Sequence, residues 1–337
     1  MLKERTGFVL KELVGEYIAT ATPVPSKSLV RKRGLRVSPA TVRNDMAELE
    51  VGGYIRRPHI SAGAVPADRG YRYYVEALDE ALALPEEVAR QVRSAFAVAA
   101  PDPEAWTRLA ARVLAGVVGN VAIVTFPHTR SCRLKRIELV YLQDYMALLV
   151  VVFQQAPLRQ RMVPLTEGIS QDELVRVANK LNYLFGGLHE QEIARKQSEL
   201  TPLETRLLES TIAMFREAEV EAMDPCVDGL RHLLRQPEFS SGEHAGEAAE
   251  VLEERELLRS ILASVEQEGD LRVLIGEENT QAPLRDFSLV LCPYGTPDGP
   301  RGVIGILGPT RLEYRTALGS VRFLSGFMGD LLASVHG

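Results

Sequence analysis

Residues 25–57 read PSKSLVRKRGLRVSPATVRNDMAELEVGGYIRR, and the capping residues in this stretch leave few folds open. Ser26 can cap a short helix running to Arg33, which Gly34 ends. A three-residue extended piece follows, Leu35-Arg36-Val37. Ser38 and Pro39 then stand as N-cap and first residue of a second helix, and Gly52-Gly53 stops it. Two short helices with a glycine between them, the second sharply capped, outline a helix-turn-helix.

At 100° per residue, Val42, Met46 and Leu49 form the core-facing stripe of the second helix. The opposite side carries Ala40, Asn44 and Ala47, flanked by Thr41 and Arg43. Small residues let a helix sink into the major groove, where Arg pairs with a guanine edge and Asn with an adenine edge. A capped N-terminus with free N–H groups suits a phosphate. The candidate DNA-binding residues here are Ser26, Lys27, Ser38, Pro39, Ala40, Thr41, Arg43 and Asn44. An ordinary surface helix in a small helical domain would give the same outline.

Charge supports the first alternative. Residues 1–75 hold 13 Lys+Arg against 7 Asp+Glu, whereas the remainder holds 26 against 38. A basic head on an acidic body fits a DNA-binding domain joined to a regulatory or dimerising one. Cys132, Cys226 and Cys292 are odd in number and far apart, which speaks against a disulfide framework or a zinc site and for a reducing, cytoplasmic setting. The charged N-terminus is unlike a signal peptide, and no stretch reads as a membrane span.

Taken in order, helix 1 runs from Lys3 to about Thr20 on a stripe of Leu10, Leu13, Val14, Tyr17 and Ile18, and Pro23 and Pro25 end it. After Gly53, Tyr54 to Arg57 and Ala64-Val65 read as two short strands around a Ser-Ala-Gly turn, a wing. Arg56, Arg57, His59 and Ser61 can reach phosphates or the minor groove from it. Asp68 caps a further helix. The body begins after Pro85 with two helices, followed by apolar strands at 120–126 and 145–153 and, between them, an alternating one at 133–142. From Ser170 to about Ser264 the pattern is helical. Strands return at 271–275, 288–291 and 303–307, and a last helix starts near Thr310.

The stretches YIATATPVPSKSLV, LRVSPATVRNDMAELEVGGYIRRPHISAGAVPADRGYRYYV, IGEEN and GVIGILGPTRLEYRTALGSV resemble the bacterial heat-inducible transcription repressor HrcA family. The resemblance reaches both ends of the chain. It implies an α+β multidomain fold: a winged helix-turn-helix head at 1–80, a discontinuous GAF-like α/β body at 85–165 and 266–337, and a mostly helical dimerisation segment inserted at 166–265. It implies repression of chaperone operons through an inverted-repeat operator named CIRCE, action as a homodimer released on heat stress, the chaperonin GroEL as a partner, and no cofactor. The chain departs from the family in the wing. Ile60, Ala64 and Ala67 stand where Thr, Arg and Thr are usual. The missing wing Arg implies that Arg56, Arg57 or Arg69 compensates, or that the operator differs.

Enzymatic readings find no motif. Gly302, Gly305 and Gly308 have the wrong spacing for a dinucleotide turn, and no Walker, HExxH or GxSxG pattern is present. Gly308-Pro309-Thr310-Arg311 fits a tight strand-to-helix turn better than a phosphate site. Glu277, Glu278 and Asn279 follow a strand and can face a pocket or an interface. The alternative to a heat-shock repressor is a winged-helix regulator whose GAF-like body senses a small-molecule effector.

Overall fold

The computed structural model describes residues 2–32, 38–59, 63–78, 83–99, 102–128, 133–143, 145–154, 158–165, 168–196, 199–222, 224–239, 242–296 and 299–336. The chain is mixed α+β. Its first helix, α1 (Glu4–Thr20), buries Leu10, Leu13, Val14 and Ile18, as the periodicity requires. In α2 (Ser26–Lys32) Ser26 is the first helical residue rather than the cap, and the Ser28 N–H and hydroxyl both donate to the Pro25 carbonyl. The expected stop at Gly34 and the extended piece at 35–37 lie outside the described residues. α3 (Pro39–Val51) starts as expected: the Ser38 Oγ accepts the Thr41 N–H at 3.1 Å. Losing such a cap costs about 1 kcal/mol. Ser38→Ala should therefore lower unfolding stability by about that amount, and a loss below about a third of it, read from urea denaturation, would leave the cap without energetic weight.

β1 (Ile55–Arg56) and β2 (Val65–Pro66) pair antiparallel, with Arg56 opposite Val65. Val24 adds a third rung by exchanging both backbone hydrogen bonds with Ala64, at 2.8 and 2.9 Å. Gly63 makes this approach possible: a Cβ there would sit 2.5 Å from the Pro23 carbonyl group. Ala64 is fully buried, so this position serves packing and not the outer surface. The N-cap of α4 (Asp68–Glu76) is Ala67, which has no side chain to cap with; Asp68, expected as the cap, is already helical.

α5 (Glu86–Ala97) and α6 (Pro103–Val118) lead into β3 (Val121–Thr125). β4 (Leu134–Gln143) and β5 (Met146–Phe153) were expected in the same body as β3. They instead pair with each other and with β6 (Arg159–Pro164) in a separate antiparallel sheet. α7 (Gln171–Phe185), α8 (Glu190–Arg195) and α9 (Pro202–Ala222) enclose a core with this sheet alone. Leu134, Ile137, Leu149 and Val151 meet Leu174, Leu181, Phe185 and Phe215 there, which is why these strands do not need β3. The outer edge of β4 is closed by two side-chain amides from α7. Asn182 exchanges hydrogen bonds with the Ile137 N–H and C=O, at 2.7 and 2.8 Å. Gln171 accepts from the Tyr141 N–H and donates to the Leu139 carbonyl.

The stretch expected to be wholly helical contains a strand. β7 (Pro225–Asp228) pairs with β3, with Cys226 opposite Val124. After α10 (Leu230–Leu233), α11 (Gly242–Glu253) and α12 (Arg255–Glu268) come β8 (Arg272–Ile275), β9 (Phe287–Gly295), β10 (Arg301–Pro309) and α13 (Tyr314–His336). The larger sheet is antiparallel in the order β7-β3-β10-β9-β8. Alternate residues face opposite sides of a strand. Ala122, Val124, Val290, Ile304 and Ile306 pack against α6 and α13. Val121, Ile123, Leu289, Leu291 and Leu307 pack against α11 and α12.

The head is seated on this body, and the core of α1, α3 and α4 is continuous with that of α6 and α13. The Tyr71 ring lies 6.0 Å from that of buried Tyr314, whose hydroxyl bonds Ser288 and donates to the Thr310 carbonyl. The Asp68 carboxylate accepts the Glu277 N–H at 2.9 Å, and Arg72 forks onto Glu278 while donating to the Val273 carbonyl. Burial pushes the Asp68 pKa up, and the Glu278 hydrogen bond raises that of Arg72. Arg311 donates to the Ile18 carbonyl at 2.9 Å and pairs with Glu238. α1 has no basic residue in its last turn, so Arg311 supplies the cation that a helix C-terminus favours. Burial opposes the Arg311 charge, and Glu238 outweighs it, leaving the pKa raised. The IGEEN and GPTR stretches are thus parts of one seam between head and body. Among the described residues no helix is long and apolar enough to cross a membrane, and no His/Cys/Asp/Glu cluster could hold a metal ion.

Candidate nucleic-acid interface

The outer face of α3 is built as the helical periodicity requires. Pro39, Ala40, Arg43, Asn44 and Ala47 are exposed, Thr41 is half-buried, and Val42, Met46 and Leu49 point inward. The Arg43 Nε donates to the Pro39 carbonyl at 3.4 Å, one weak bond that keeps the side chain along the helix surface. Asn44 is fully presented on the same face. The hydroxyls of Ser38 and Thr41 are 3.0 Å apart and belong to the cap, which stiffens the leading turn.

The remaining candidates fall around this helix. Ser26 is half-buried and Lys27 exposed at the start of α2. Arg56 is exposed on β1 and His59 in the loop beyond it. Arg57 does not stand free: its guanidinium lies 3.4 Å from the Glu50 carboxylate on α3. Arg69, considered as a substitute for the missing wing Arg, donates to the Gly52 carbonyl and stacks over the Tyr54 ring at 4.4 Å. It works as a strut behind the wing. Ile60 and Ser61 lie outside the described residues.

One residue of the helix escaped the sequence reading. Asp45 is only 2% exposed, although it follows two outward-facing residues. Its carboxylate accepts from Arg5 at 2.9 and 3.0 Å and from buried Thr6 at 3.3 Å. Asp45 stands three residues after Val42 and four before Leu49, which borders the inward stripe. That spacing was the available signal.

Residues 104–318 match the family model "HrcA protein C terminal domain". Over 338 residues the chain is 39% identical to the heat-inducible transcription repressor HrcA of Dehalococcoides mccartyi, covering 100% of this chain and 98% of the relative. The corresponding protein of Herpetosiphon aurantiacus is 36% identical, with 100% and 97% coverage, and that of Thermomicrobium roseum is 36% identical, also with 100% and 97% coverage. A crystal structure described as that of a hypothetical protein superimposes with a TM-score of 0.60 at 24% identity, covering 99% of this chain and 98% of the other. A family match over well more than half the chain, together with relatives that align from end to end, shows that the chain belongs to the HrcA family of heat-inducible transcription repressors.

Proposed function

We propose that the chain represses heat-shock genes by inserting α3 into the major groove of operator DNA. The carrying observation is the exposed face of Ala40, Arg43, Asn44 and Ala47 on a capped helix. Arg43 and Asn44 read base edges, while Lys27, Ser38, Thr41, Arg56 and His59 hold the backbone. Arg57, drawn to Glu50, orients the wing more than it neutralises phosphate. The operator is an inverted repeat of the CIRCE type, and a two-fold dimer matches it. The five-stranded sheet with its flanking helices is the GAF-like body. The separate unit of β4–β6 and α7–α9 is the dimerising insertion. Its sheet turns the cross-strand row Val140, Leu148 and Met162 outward, with Val140 44% and Met162 65% exposed. A second copy covers this apolar row. Heat releases the dimer from DNA, and the chaperonin GroEL helps restore the active form.

The test is binding of the full chain to a CIRCE-type inverted repeat and to a scrambled duplex, followed by fluorescence anisotropy at two salt concentrations. Arg43→Ala should weaken operator binding by roughly 1–3 kcal/mol and relax preference at one base pair per half-site. Equal weakening on both duplexes would remove Arg43 from base reading.

One observation favours an effector as a second reading. A cleft of about 700 Å³ lies between α1, α2, α4 and α13, lined by apolar Phe8, Leu29, Tyr74 and Leu78 and by charges of both signs, Lys11 and Arg315 with Glu12 and Glu16. A ligand there would touch head and body at once. It would raise the melting temperature and change operator affinity together.

A further inference from the structure

α3 carries three acids, Asp45, Glu48 and Glu50, against one base, Arg43. Such a helix is poorly matched to a polyanion unless its acids are neutralised. Each of them meets a cation from another element. Lys3 lies 3.4 Å from Glu48, Arg57 lies 3.4 Å from Glu50, and Arg5 forks onto Asp45. The first pair is solvent-exposed and the second half-exposed on both sides, and such pairs contribute little. The third is of another kind, because Asp45 and Thr6 are buried and the guanidinium bonds both carboxylate oxygens.

The geometry of this third pair is directional. An apolar stripe such as Val42, Met46 and Leu49 decides which side of a helix faces in, but apolar contacts tolerate a partial rotation or slide. A bidentate fork tolerates neither, because both N–H···O vectors must stay aligned. Asp45 adjoins Asn44 in the chain, and the fork ties it to the first turn of α1. Rotating α3 enough to move Arg43 and Asn44 off their bases would break the fork. Only the carboxylate side of this pair is buried, since Arg5 itself is exposed; charged groups held in this way contribute little to stability, and their best-attested use is fixing one arrangement among several.

We infer that Asp45, held by Arg5 and Thr6, is a positioning residue that sets the rotation of the recognition helix and thereby the discrimination of operator from other DNA. The inference rests on the DNA-reading role given to α3 above. Asp45 itself touches no base. Its effect passes through Arg43 and Asn44.

The test uses the full chain, anisotropy on the inverted repeat and on the scrambled duplex, and a urea midpoint for every variant. Replacing the pair together, Arg5→Met with Asp45→Leu, removes one positive and one negative charge, so the general attraction to DNA is preserved. Leu at the buried position leaves no unpaired charge inside, and Met keeps the stem of the exposed Arg5 side chain, so folding should be little changed. The expected result is an unchanged midpoint and little change on scrambled DNA, with preference for the operator reduced about tenfold or more. Arg5→Lys is the second arm. It keeps the charge and cannot fork, so preference should fall several-fold even if the paired variant does not fold. Folded variants that retain the wild-type preference would overturn the inference while leaving the repressor reading intact. A wild-type protein that binds both duplexes alike would overturn both.

Discussion

Asn279→Ala should lose about 2–4 kcal/mol of unfolding stability, well beyond the effect of an ordinary surface change. Asn279 is 2% exposed, and the two N–H groups of its Nδ2 are shared among the carbonyls of Gly276, Leu284 and Phe287, at 2.9, 3.0 and 3.1 Å. Truncation leaves buried carbonyls without donors and opens a small void. The damage also reaches function, because this loop carries Glu277 and Glu278, whose backbone and side chain hold Asp68 and Arg72 of the head. Chemical denaturation measures the first consequence. Hydrogen exchange in α4 measures the second, and exchange there should accelerate in the variant even under conditions where β9 remains protected. An unchanged midpoint would mean that water replaces the lost donor at no cost.

Gly63→Ala should cost about 3 kcal/mol and detach the wing from the strand-like segment at Val24. The added methyl would meet the backbone of Pro23 and Val24 at 2.5 Å, and backbone atoms have no alternative rotamer to adopt. The first bonds to break are the pair between Val24 and Ala64. Their amides should exchange faster than those of α1 next door. Operator affinity should fall because Arg56 and His59 ride on the displaced segment. Wild-type exchange at Val24 would show that the backbone absorbs the methyl and that this glycine is not required by close approach.

How far the sequence could be followed depended on the range of the forces involved. Ser38, Pro39 and the glycines after Val51 act within one turn, so the limits of α3 were legible from neighbours alone. Its inward face was also legible, since Val42, Met46 and Leu49 need only a period. Partner choice between strands is not local. β5 is as apolar as β3, while β4 alternates apolar with charged residues, and nothing in their own residues says which sheet they join. That is decided by α7 and α9, whose stripes complete a second core. β7 was hidden for a related reason: four residues holding Pro225 and Cys226 give no alternation to detect, and pairing with β3 makes them a strand. Asp45 was missed because a carboxylate between polar neighbours suggests solvent, and only the distant Arg5 and Thr6 make its burial affordable. Likewise, Arg311 looked like part of a turn until its partner, the end of α1, was in place.

The amides of Asn182 and Gln171 have a consequence for the protein's behaviour when hot. An unpaired strand edge is a template on which another chain can extend a sheet, and α7 keeps β4 from being one by occupying its hydrogen-bonding groups with side chains. The same helix therefore guards the molecule against self-propagation. A temperature that peels α7 away opens a sticky margin beside the outward row of Val140, Leu148 and Met162, and the regulator becomes a seed for aggregates. Solubility at the upper end of the temperature range is then set by how firmly one helix stays down, independently of how tightly the head holds DNA.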